Sequence, residues 1–294
     1  MRGRPLLPFL RIAGWLPPWL APGTLIPGVP AMRAPASNPS GVHFLRDRTV
    51  IAGLLRSARP RGGDLVLELG AGPGVLTAAL AGTGARIVAV ERDAAFAARL
   101  RRRFAQRPVT VVEDDLRRVR LPRRLFAVVA NLPFATGTAV LRRLLGGRDV
   151  PLRGADLLVE WGFARRLTRP VPRDAETAWW AARYELRIAR RVPATAFAPA
   201  PRVAAAHLVV RPRQLDRRAL PVLRALLTDA YRRPAAPLTA VLAAHVPAAR
   251  AHRLARSTGI APPAIAGAVP PSVWAALAAA AVVAEPAARA RSIS

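Results

Sequence analysis

Four consecutive residues, Asn131, Leu132, Pro133 and Phe134, are suited to activating an aromatic amine. The exocyclic amine of adenine is a poor nucleophile because its lone pair is delocalised into the ring. If the Asn131 side-chain oxygen and the Leu132 carbonyl accepted hydrogen bonds from that amine, its nitrogen would move towards sp3 geometry and direct its lone pair at an electrophile. Pro133 stiffens the turn, and Phe134 offers a face on which a base can stack.

A glycine-rich turn with Gly70, Gly72 and Gly74 follows an apolar run at residues 64–69. An apolar run without polar alternation is typical of a strand buried in a parallel sheet, and glycines let the backbone approach a ligand closely. The spacing differs from the dinucleotide fingerprint Gly-x-Gly-x-x-Gly, and Glu68 just before it is typical of S-adenosylmethionine (SAM) sites. The turn alone is a weak signal, and it predicts a ligand at the carboxyl end of the strand.

Two acidic residues stand at the ends of the next two predicted strands. Glu91 closes the run 85–91, about 20 positions beyond Gly70, where an α/β nucleotide site places the carboxylate that accepts both ribose hydroxyls. The alternative is an ordinary surface Glu at a strand end. Asp115 follows the strand at 109–112 and is suited either to accept a hydrogen bond from a cofactor adenine amine or to cap a helix N-terminus.

The elements that position these residues alternate between strands and helices. Helical periodicity predicts helices over 48–58 and 74–81 and a further helix that carries the arginines 101–103. The predicted strands are 64–69, 86–91, 109–112, 125–130, one that begins near 155 and leads into a helix by 167, and a closing antiparallel pair at 184–192 and 206–210. Repeated β-α-β units predict an α/β, Rossmann-like domain, which aligns the candidate residues along one edge of its sheet.

The sequence divides into three parts. Prolines interrupt the apolar runs of residues 1–37, so we expect a disordered extension and hypothesise that Met32 begins the functional chain. Residues 38–211 form the predicted α/β domain. Residues 212–294, here called the helical lobe, are Ala-rich with interspersed arginines and end in an Ala/Pro-rich tail. The apolar run 273–284 is too short to span a bilayer and predicts an amphipathic or buried helix.

Composition indicates a nucleic-acid partner. The 294-residue chain has 46 basic and 17 acidic residues, a formal net charge of +29, and all of its basic residues are arginine. Arginine binds phosphate bidentately and stacks on bases. GC-rich coding would explain arginine in place of lysine but would not create net charge. Cysteine is absent and histidine occurs four times, which excludes a cysteine nucleophile and makes a metal centre unexpected.

The combination of motifs resembles the erythromycin-resistance (Erm) 23S ribosomal RNA adenine-N6 methyltransferases, a sister family of the 16S dimethyladenosine transferases. The resemblance extends over about residues 38–213. It rests on Gly-Val-His-Phe-Leu at 41–45, Glu-Leu-Gly-Ala-Gly-Pro-Gly at 68–74, Asn-Leu-Pro-Phe at 131–134 and Glu-Trp-Gly-Phe-Ala-Arg-Arg-Leu at 160–167. The last block is similar to the Erm version rather than the 16S version.

The resemblance implies a Rossmann-like SAM-dependent methyltransferase domain with a small C-terminal helical domain that helps to bind RNA. It implies transfer of one or two methyl groups to N6 of a specific adenine in 23S rRNA, and so resistance to macrolide, lincosamide and streptogramin B drugs. The implied catalytic residues are Asn131, Leu132, Pro133, Phe134 and Phe163. The implied cofactor-binding residues are His43, Leu45, Gly70, Gly72, Glu91, Asp115 and Asn131.

Two features of these assignments stay open. Phe163 would stack on the flipped adenine opposite Phe134, or else it is a core aromatic residue. Val42 stands where the family usually has Gln, and His43 stands where many members have Asn, which bears on cofactor affinity.

We expect a cytoplasmic monomer that uses SAM and 23S rRNA and needs neither a metal nor a membrane. The rival functions are 16S rRNA dimethylation and a non-catalytic RNA-binding or transcription factor on the same fold. Intact Gly70, Glu91, Asp115 and Asn131 argue against the non-catalytic alternative, which the Val42 departure slightly favours.

Overall fold

The computed structural model of the protein describes residues 43–147, 149–260 and 263–283. The predicted extension at 1–37, the hypothesised start at Met32, the Val42 departure and the tail beyond residue 283 lie outside the described residues.

Strands and helices alternate as predicted, with boundaries within a few residues of the expected ones. The strands of the described residues are β1 (Phe44–Leu45), β2 (Leu65–Leu69), β3 (Arg86–Glu91), β4 (Val109–Glu113), β5 (Phe126–Asn131), β6 (Leu152–Glu160), β7 (Tyr184–Val192), β8 (Phe197–Ala198) and β9 (Ala205–Pro212). The helices are α1 (Arg48–Ala58), α2 (Val75–Ala81), α3 (Ala94–Arg103), α4 (Gly137–Leu145), α5 (Trp161–Leu167), α6 (Ala175–Arg183), α7 (Ala219–Arg232), α8 (Leu238–Ala243), α9 (Ala248–Ser257) and α10 (Pro271–Val282). Helices α4 and α6 were not predicted.

In the described part of the chain, seven strands form one sheet in the order β4-β3-β2-β5-β6-β9-β7. Strands β2 to β6 run parallel, and β9 lies antiparallel between β6 and β7. The order reverses direction between β2 and β5, and ligands of such sheets bind in the crevice outside the carboxyl ends of the strands at that point. We call this side of the sheet the carboxyl edge and the opposite side the amino edge.

Burial on both faces explains why the central strands have uniformly apolar sequences. Every residue of β2 is buried, and so are all residues of β5 except its last, Asn131. Asp47 and Asp93 cap α1 and α3 by accepting hydrogen bonds from backbone amides of the first turn, which fixes where these helices begin. The predicted Rossmann-like α/β fold is confirmed.

A second, two-stranded sheet joins residues that are far apart in the sequence. β1 pairs antiparallel with β8, with Phe44 opposite Ala198 and Leu45 opposite Phe197. This pairing holds the segment at 43–45 near the carboxyl edge, as the contacts of His43 below show.

The C-terminal part of the described chain is helical, as expected. Helix α10 packs on α6, α7 and α9, and its Trp274 is fully buried. The apolar run near the C-terminus is therefore a helix that is buried along one face, with alanines such as Ala276 and Ala280 exposed on the other. No helix within the described ranges is both long enough and apolar enough to cross a membrane.

Candidate active site

The glycine turn after β2 and the tetrapeptide after β5 meet at the carboxyl edge. Gly70 has φ +78°, and a Cβ built on it would lie 3.8 Å from the Asn131 carbonyl oxygen and 3.9 Å from Pro133 Cδ. The amides of Gly70 and Ala71 both donate to the Val90 carbonyl, at 2.9 and 3.0 Å, which ties the turn to β3. The two motifs singled out from the sequence are thus parts of one site.

Glycine is required in this turn by its conformation and by its neighbours. Gly72 has φ +52°, and a Cβ on it would lie 3.0 Å from Cε1 of Phe44. The Phe44 ring in turn contacts Phe96 edge to face, with centroids 5.6 Å apart. Sequence reasoning did not assign a role to either aromatic residue. The signal for Phe44 was its place between two proposed cofactor residues, whereas Phe96 is brought there only by the fold.

Glu91 is linked to the same turn rather than exposed at the surface. Its Oε2 accepts a hydrogen bond from the Gly72 amide at 2.7 Å, and its Oε1 accepts one from the Asp93 amide at 2.8 Å. Only 8% of the residue is exposed, so the surface-residue alternative is wrong. Because each carboxylate oxygen has a second lone pair, both oxygens still have capacity to accept further donors.

Glu68 lies beneath the turn in β2 and is almost fully buried. Burial, reinforced by the nearby Glu91 charge, raises the pKa of its carboxyl from 4.5 to about 8. Its Oε2 has no hydrogen-bond partner among the described residues. An unpartnered buried carboxyl oxygen under a glycine turn is a polar atom that a bound molecule can satisfy.

The Asn131 side chain is oriented by a contact that the sequence did not predict. Its Nδ2 donates to the His43 carbonyl oxygen at 2.7 Å, so its Oδ1 is the acceptor end of the amide. His43 is held in turn by a hydrogen bond from its Nδ1 to the Pro199 carbonyl oxygen, at 2.8 Å. The segment that was predicted to bind the cofactor therefore also positions the predicted catalytic amide.

The other residues of the tetrapeptide build a tight turn into α4. Leu132 is buried, and its amide donates to the Leu158 carbonyl at 3.1 Å. The Pro133 carbonyl accepts hydrogen bonds from both the amide and the hydroxyl of Thr136, at 2.9 and 2.7 Å. Phe134 remains half-buried, 5.7 Å from the His43 ring between centroids.

Phe163 lies near this turn, at the start of α5. Its ring covers Gly137, where an added Cβ would lie 2.9 Å from Cε1 of Phe163. The Arg166 guanidinium is 5.9 Å from the centre of the ring. The side chain packs against the hydrophobic core but is half-buried, so the structure is compatible with both the stacking role and the core role.

Asp115 makes its contacts within the turn that follows β4, and no helix of the described residues begins there, so the helix-capping alternative is wrong. Its Oδ1 accepts from the Arg117 amide at 2.8 Å, and its carboxylate pairs with the Arg117 guanidinium, with Nε at 3.0 Å. The hydrogen bonds from Arg117 hold the pKa of Asp115 well below its usual range. Leu45 is also placed by packing, since its side chain is buried within the β1 and β8 pair.

The site fits SAM in three respects. The glycine turn has positive φ angles at positions where side chains would collide with neighbours, Glu91 stands at the end of the next strand, and Glu68 offers an unsatisfied oxygen. Within the ranges that the structure describes, no group of three or more His, Cys, Asp and Glu side chains could hold a metal ion.

Comparisons with known proteins agree with this arrangement. A family model described as ribosomal RNA adenine dimethylase matches residues 37–281. The mycinamicin-resistance protein MyrB of Micromonospora griseorubida is 33% identical over 240 residues, which cover 81% of this chain and 76% of that protein. Ribosomal RNA small subunit methyltransferase A of a Synechococcus strain is 37% identical over 189 residues, which cover 59% of this chain and 66% of that protein.

Among solved structures, the fold is similar to the crystal structure of the 23S rRNA methyltransferase ErmE. The TM-score is 0.69 at 26% sequence identity, and the match covers 80% of this chain and 98% of that one. The family match spans the sheet, the glycine turn, the tetrapeptide and the C-terminal helices. The chain belongs to the ribosomal RNA adenine dimethylase family and is an rRNA adenine N6-methyltransferase.

Proposed function

We propose that this enzyme transfers one or two methyl groups from SAM to N6 of one adenine in 23S rRNA. The observation that carries the proposal is the orientation of Asn131, whose Nδ2 donates to the His43 carbonyl and whose Oδ1 is thereby left as an acceptor beside the glycine turn. An acceptor fixed at the reacting amine before the reaction begins lowers the barrier without reorganisation.

SAM, when bound, supplies a methyl group made electrophilic by the sulfonium. The residues that we propose to hold it are the glycines of the turn, His43, Leu45, Glu91 and Asp115. For Asp115 this role requires an oxygen to accept a donor in addition to Arg117, or the Arg117 side chain to move. The hydrogen bonds of Glu91 keep its carboxylate in one orientation, which suits it to receive two ribose hydroxyls.

On the RNA side, the protein activates the amine and holds the base. Asn131 Oδ1 and the Leu132 carbonyl accept hydrogen bonds from the amine, so its lone pair is directed away from the adenine ring. Phe134 and Phe163 hold the extruded base between aromatic faces, which offsets part of the few kcal/mol that base flipping costs. The amine proton becomes acidic only as the new N–C bond forms, so no general base is required before transfer.

Two observations favour 23S rRNA as the substrate. The block at 160–167 is similar to the Erm version, and the structural similarity to ErmE, a 23S rRNA methyltransferase, extends over 98% of that chain. The similarity to MyrB, which is named for mycinamicin resistance, supports the further proposal of resistance to macrolide, lincosamide and streptogramin B drugs. The similarity to a small subunit methyltransferase makes 16S rRNA the second candidate.

We further propose that residues 38–211 form the catalytic domain and that the helical lobe contributes to RNA binding in a cytoplasmic monomer. Of the lobe arginines, Arg232 and Arg256 are exposed and lie in α7 and α9. Arg233 pairs with Asp229, and Arg250 donates to the Ala280 and Val283 carbonyls at the end of α10. The first two arginines are therefore better placed to bind RNA.

The test is primer extension across both rRNAs from a drug-sensitive host that expresses this chain, with mass spectrometry of the modified nucleoside. We expect one modified adenine in 23S rRNA and growth on a macrolide. Modification of 16S rRNA alone would favour the second candidate, and RNA binding without modification of either rRNA would favour the non-catalytic alternative.

Asn131→Ala is the matched catalytic control for this experiment. We expect methyl transfer to be lost while SAM binding largely remains, because the acceptor acts mainly in the transition state. A variant that kept more than about a tenth of the wild-type kcat would contradict a contribution of even about 1.4 kcal/mol to the barrier.

A further inference from the structure

The amino edge of the sheet carries a pocket, on the side away from the methyl-transfer site. This amino-edge pocket has a volume of about 600 Å³. It lies between the C-terminal end of α1 and the amino ends of β2, β5 and β6. Its lining contains the arginines Arg56, Arg59, Arg61, Arg153, Arg187 and Arg211, together with Asp64 and Asp156.

The floor of the pocket is a built network of charged side chains. Arg211 donates to the Ser57 carbonyl and to Asp156 Oδ2, both at 2.8 Å, and so joins α1 to β6. Asp156 is 1% exposed, and its other oxygen contacts His207 Nε2 at 2.8 Å. Although burial opposes ionisation, the contacts with His207, Ser57 and Arg211 lower the pKa of Asp156. This carboxylate is thus ionised, and each of its oxygens has a hydrogen-bond partner.

The second carboxylate of the lining, Asp64, also has partners within the protein. Asp64 Oδ2 accepts from the Arg61 amide at 2.8 Å and lies 3.1 Å from Arg153 Nη2. Within the described residues, these two acids face six guanidinium groups, so the lining has a formal excess of positive charge. No hydrogen bond or ion pair of the Arg56, Arg59 or Arg61 side chains occurs in the described part of the chain. An anion is what such a cluster can bind.

Arg59 occupies an unusual conformation for an arginine. It ends α1 with φ 47° and ψ 52°, the left-handed region in which glycine is the usual residue. A side chain there costs roughly 1–2 kcal/mol. Such strain is often kept at functional positions, and here the strained residue contributes one of the six guanidinium groups of the lining.

Helix α1 connects this pocket to the transfer site. Its N-terminal end follows β1, which adjoins His43, and its C-terminal end is Ala58 in the wall of the pocket. Eleven residues of helix span about 16 Å at roughly 1.5 Å per residue. Arg187 and Arg190 of β7 pair with Val209 and His207 of β9, two residues apart, and therefore share a face of the sheet. A Cβ on Gly53 of α1 would lie 3.7 Å from Arg190 Nη1. Arginines thus extend from the pocket along α1.

We propose that the amino-edge pocket is a phosphate-binding site and that it holds a backbone phosphate of the RNA whose adenine enters the transfer site. The assignment to RNA rests on the proposed function. The binding of phosphate itself does not, because it follows from the guanidinium cluster. Arginine forks match phosphate oxygens bidentately, and the two acids that would repel an anion are already neutralised by Arg153 and Arg211.

The test uses Arg56→Gln/Arg59→Gly in the full chain. Glycine at position 59 relieves the left-handed strain, so the free energy of unfolding should stay level or rise while phosphate binding falls. The control is Arg123→Gln/Arg124→Gln, which removes the same charge from exposed arginines that precede β5 and lie outside the pocket lining. Both variants should retain SAM affinity.

Affinity for a 23S rRNA fragment is measured across a salt series. We expect the slope of log affinity against log salt to fall by about 0.7–0.9 for each phosphate interaction that the pocket substitutions remove, and to change less in the control. A second arm titrates pyrophosphate. The wild type and the control should bind it, and the pocket variant should not.

Both arms measure binding and neither measures methylation, so this proposal can fail while the proposed methyltransferase function holds, and the reverse. If pyrophosphate binding requires the two arginines but the salt dependence of RNA affinity does not change in the pocket variant, the pocket is a phosphate-binding site whose ligand is a free phosphate compound and not RNA. Equal losses in both variants, or no pyrophosphate binding and no change in slope, would overturn the proposal.

Discussion

The most informative single residue is Glu68, a carboxyl group buried directly under the glycine turn. Its folded-state pKa of about 8 lies above the ordinary value of 4.5, so the folded protein holds a proton that the unfolded chain releases between these values. The free energy of unfolding should therefore fall as pH rises from about 5 to 8, by at most about 1.4 kcal/mol per pH unit from this group.

Glu68→Gln should flatten that part of the stability profile, because glutamine has no proton to lose. Denaturant unfolding between about pH 5 and pH 9 measures the effect in the SAM-free protein. Glu185→Gln is the control, since Glu185 is exposed on β7. An unchanged slope in Glu68→Gln would mean that the carboxyl ionises in the folded state as readily as in the unfolded chain.

Phe163 offers a test that separates base stacking from core packing. Phe163→Leu should reduce methyl transfer several-fold, and less than Asn131→Ala does, with little loss of stability, because leucine still packs on Gly137 but stacks poorly on a base. Phe126→Leu is the matched change in the core, where the side chain is 1% exposed, and should mainly reduce stability. If Phe163→Leu lost stability and activity in parallel, Phe163 would be a core residue.

At the scale of elements, the glycine turn and the packing of α2 against α3 require glycine at the position before α2. Gly74 has φ +80° and immediately precedes α2 as its N-cap, and a Cβ on it would lie 2.5 Å from Cδ2 of Leu100 in α3. Gly63 has a similar φ of +85° but no atom within 4 Å of the added Cβ. A substitution at Gly63 would therefore test backbone strain alone, whereas one at Gly74 would test strain together with a steric collision.

We expect Gly63→Ala to cost about 1–2 kcal/mol of stability, as strain alone would. Gly74→Ala should cost roughly 1–3 kcal/mol more, because α3 must also shift away from the new methyl group. Denaturant unfolding of both variants measures the difference. Equal losses would show that Leu100 moves aside without penalty and that the spacing between α2 and α3 is adaptable.

The same elements explain how much the sequence could predict. Parallel strands end at one edge, so an acid or amide that closes a strand is placed correctly once the strand is recognised, and Glu91 and Asn131 were found in this way. The His43 contact with Asn131 was not found, because β1 pairs with β8 across about 150 residues and two-residue strands carry no periodicity. The aromatic contact of Phe96 likewise depends on how α3 packs.

At the scale of the whole molecule, the net charge of +29 is spread over surfaces with different roles. Some arginines are structural, such as Arg183, which is buried and donates to the Leu145 and Gly147 carbonyls. Others have local acidic partners, such as Arg142 with Glu176. Net charge predicted a polyanionic partner from the sequence, but only the structure distinguishes arginines that hold the fold from those that are exposed to a ligand.

In the helical lobe this distinction changes which arginines should be tested. From the sequence alone, the arginines interspersed in the lobe are equivalent candidates for RNA binding, and they include Arg232, Arg233, Arg250, Arg253 and Arg256. Arg250 donates to two carbonyls at the C-terminal end of α10, so Arg250→Gln should lower stability. Arg232→Gln/Arg256→Gln should leave stability unchanged, because both side chains are exposed.

If the lobe binds RNA phosphates, Arg232→Gln/Arg256→Gln should weaken RNA binding and reduce its salt dependence by about 0.7–0.9 log units per decade of salt for each phosphate interaction removed. SAM affinity should not change, since neither residue is among those that we propose to hold SAM. Affinity for the 23S rRNA fragment across a salt series measures this in the same format as for the amino-edge pocket. Two separate binding surfaces should give additive losses in the free energy of binding when the variants are combined. An unchanged slope in the lobe variant, with a reduced slope in the pocket variant, would assign RNA binding to the catalytic domain alone.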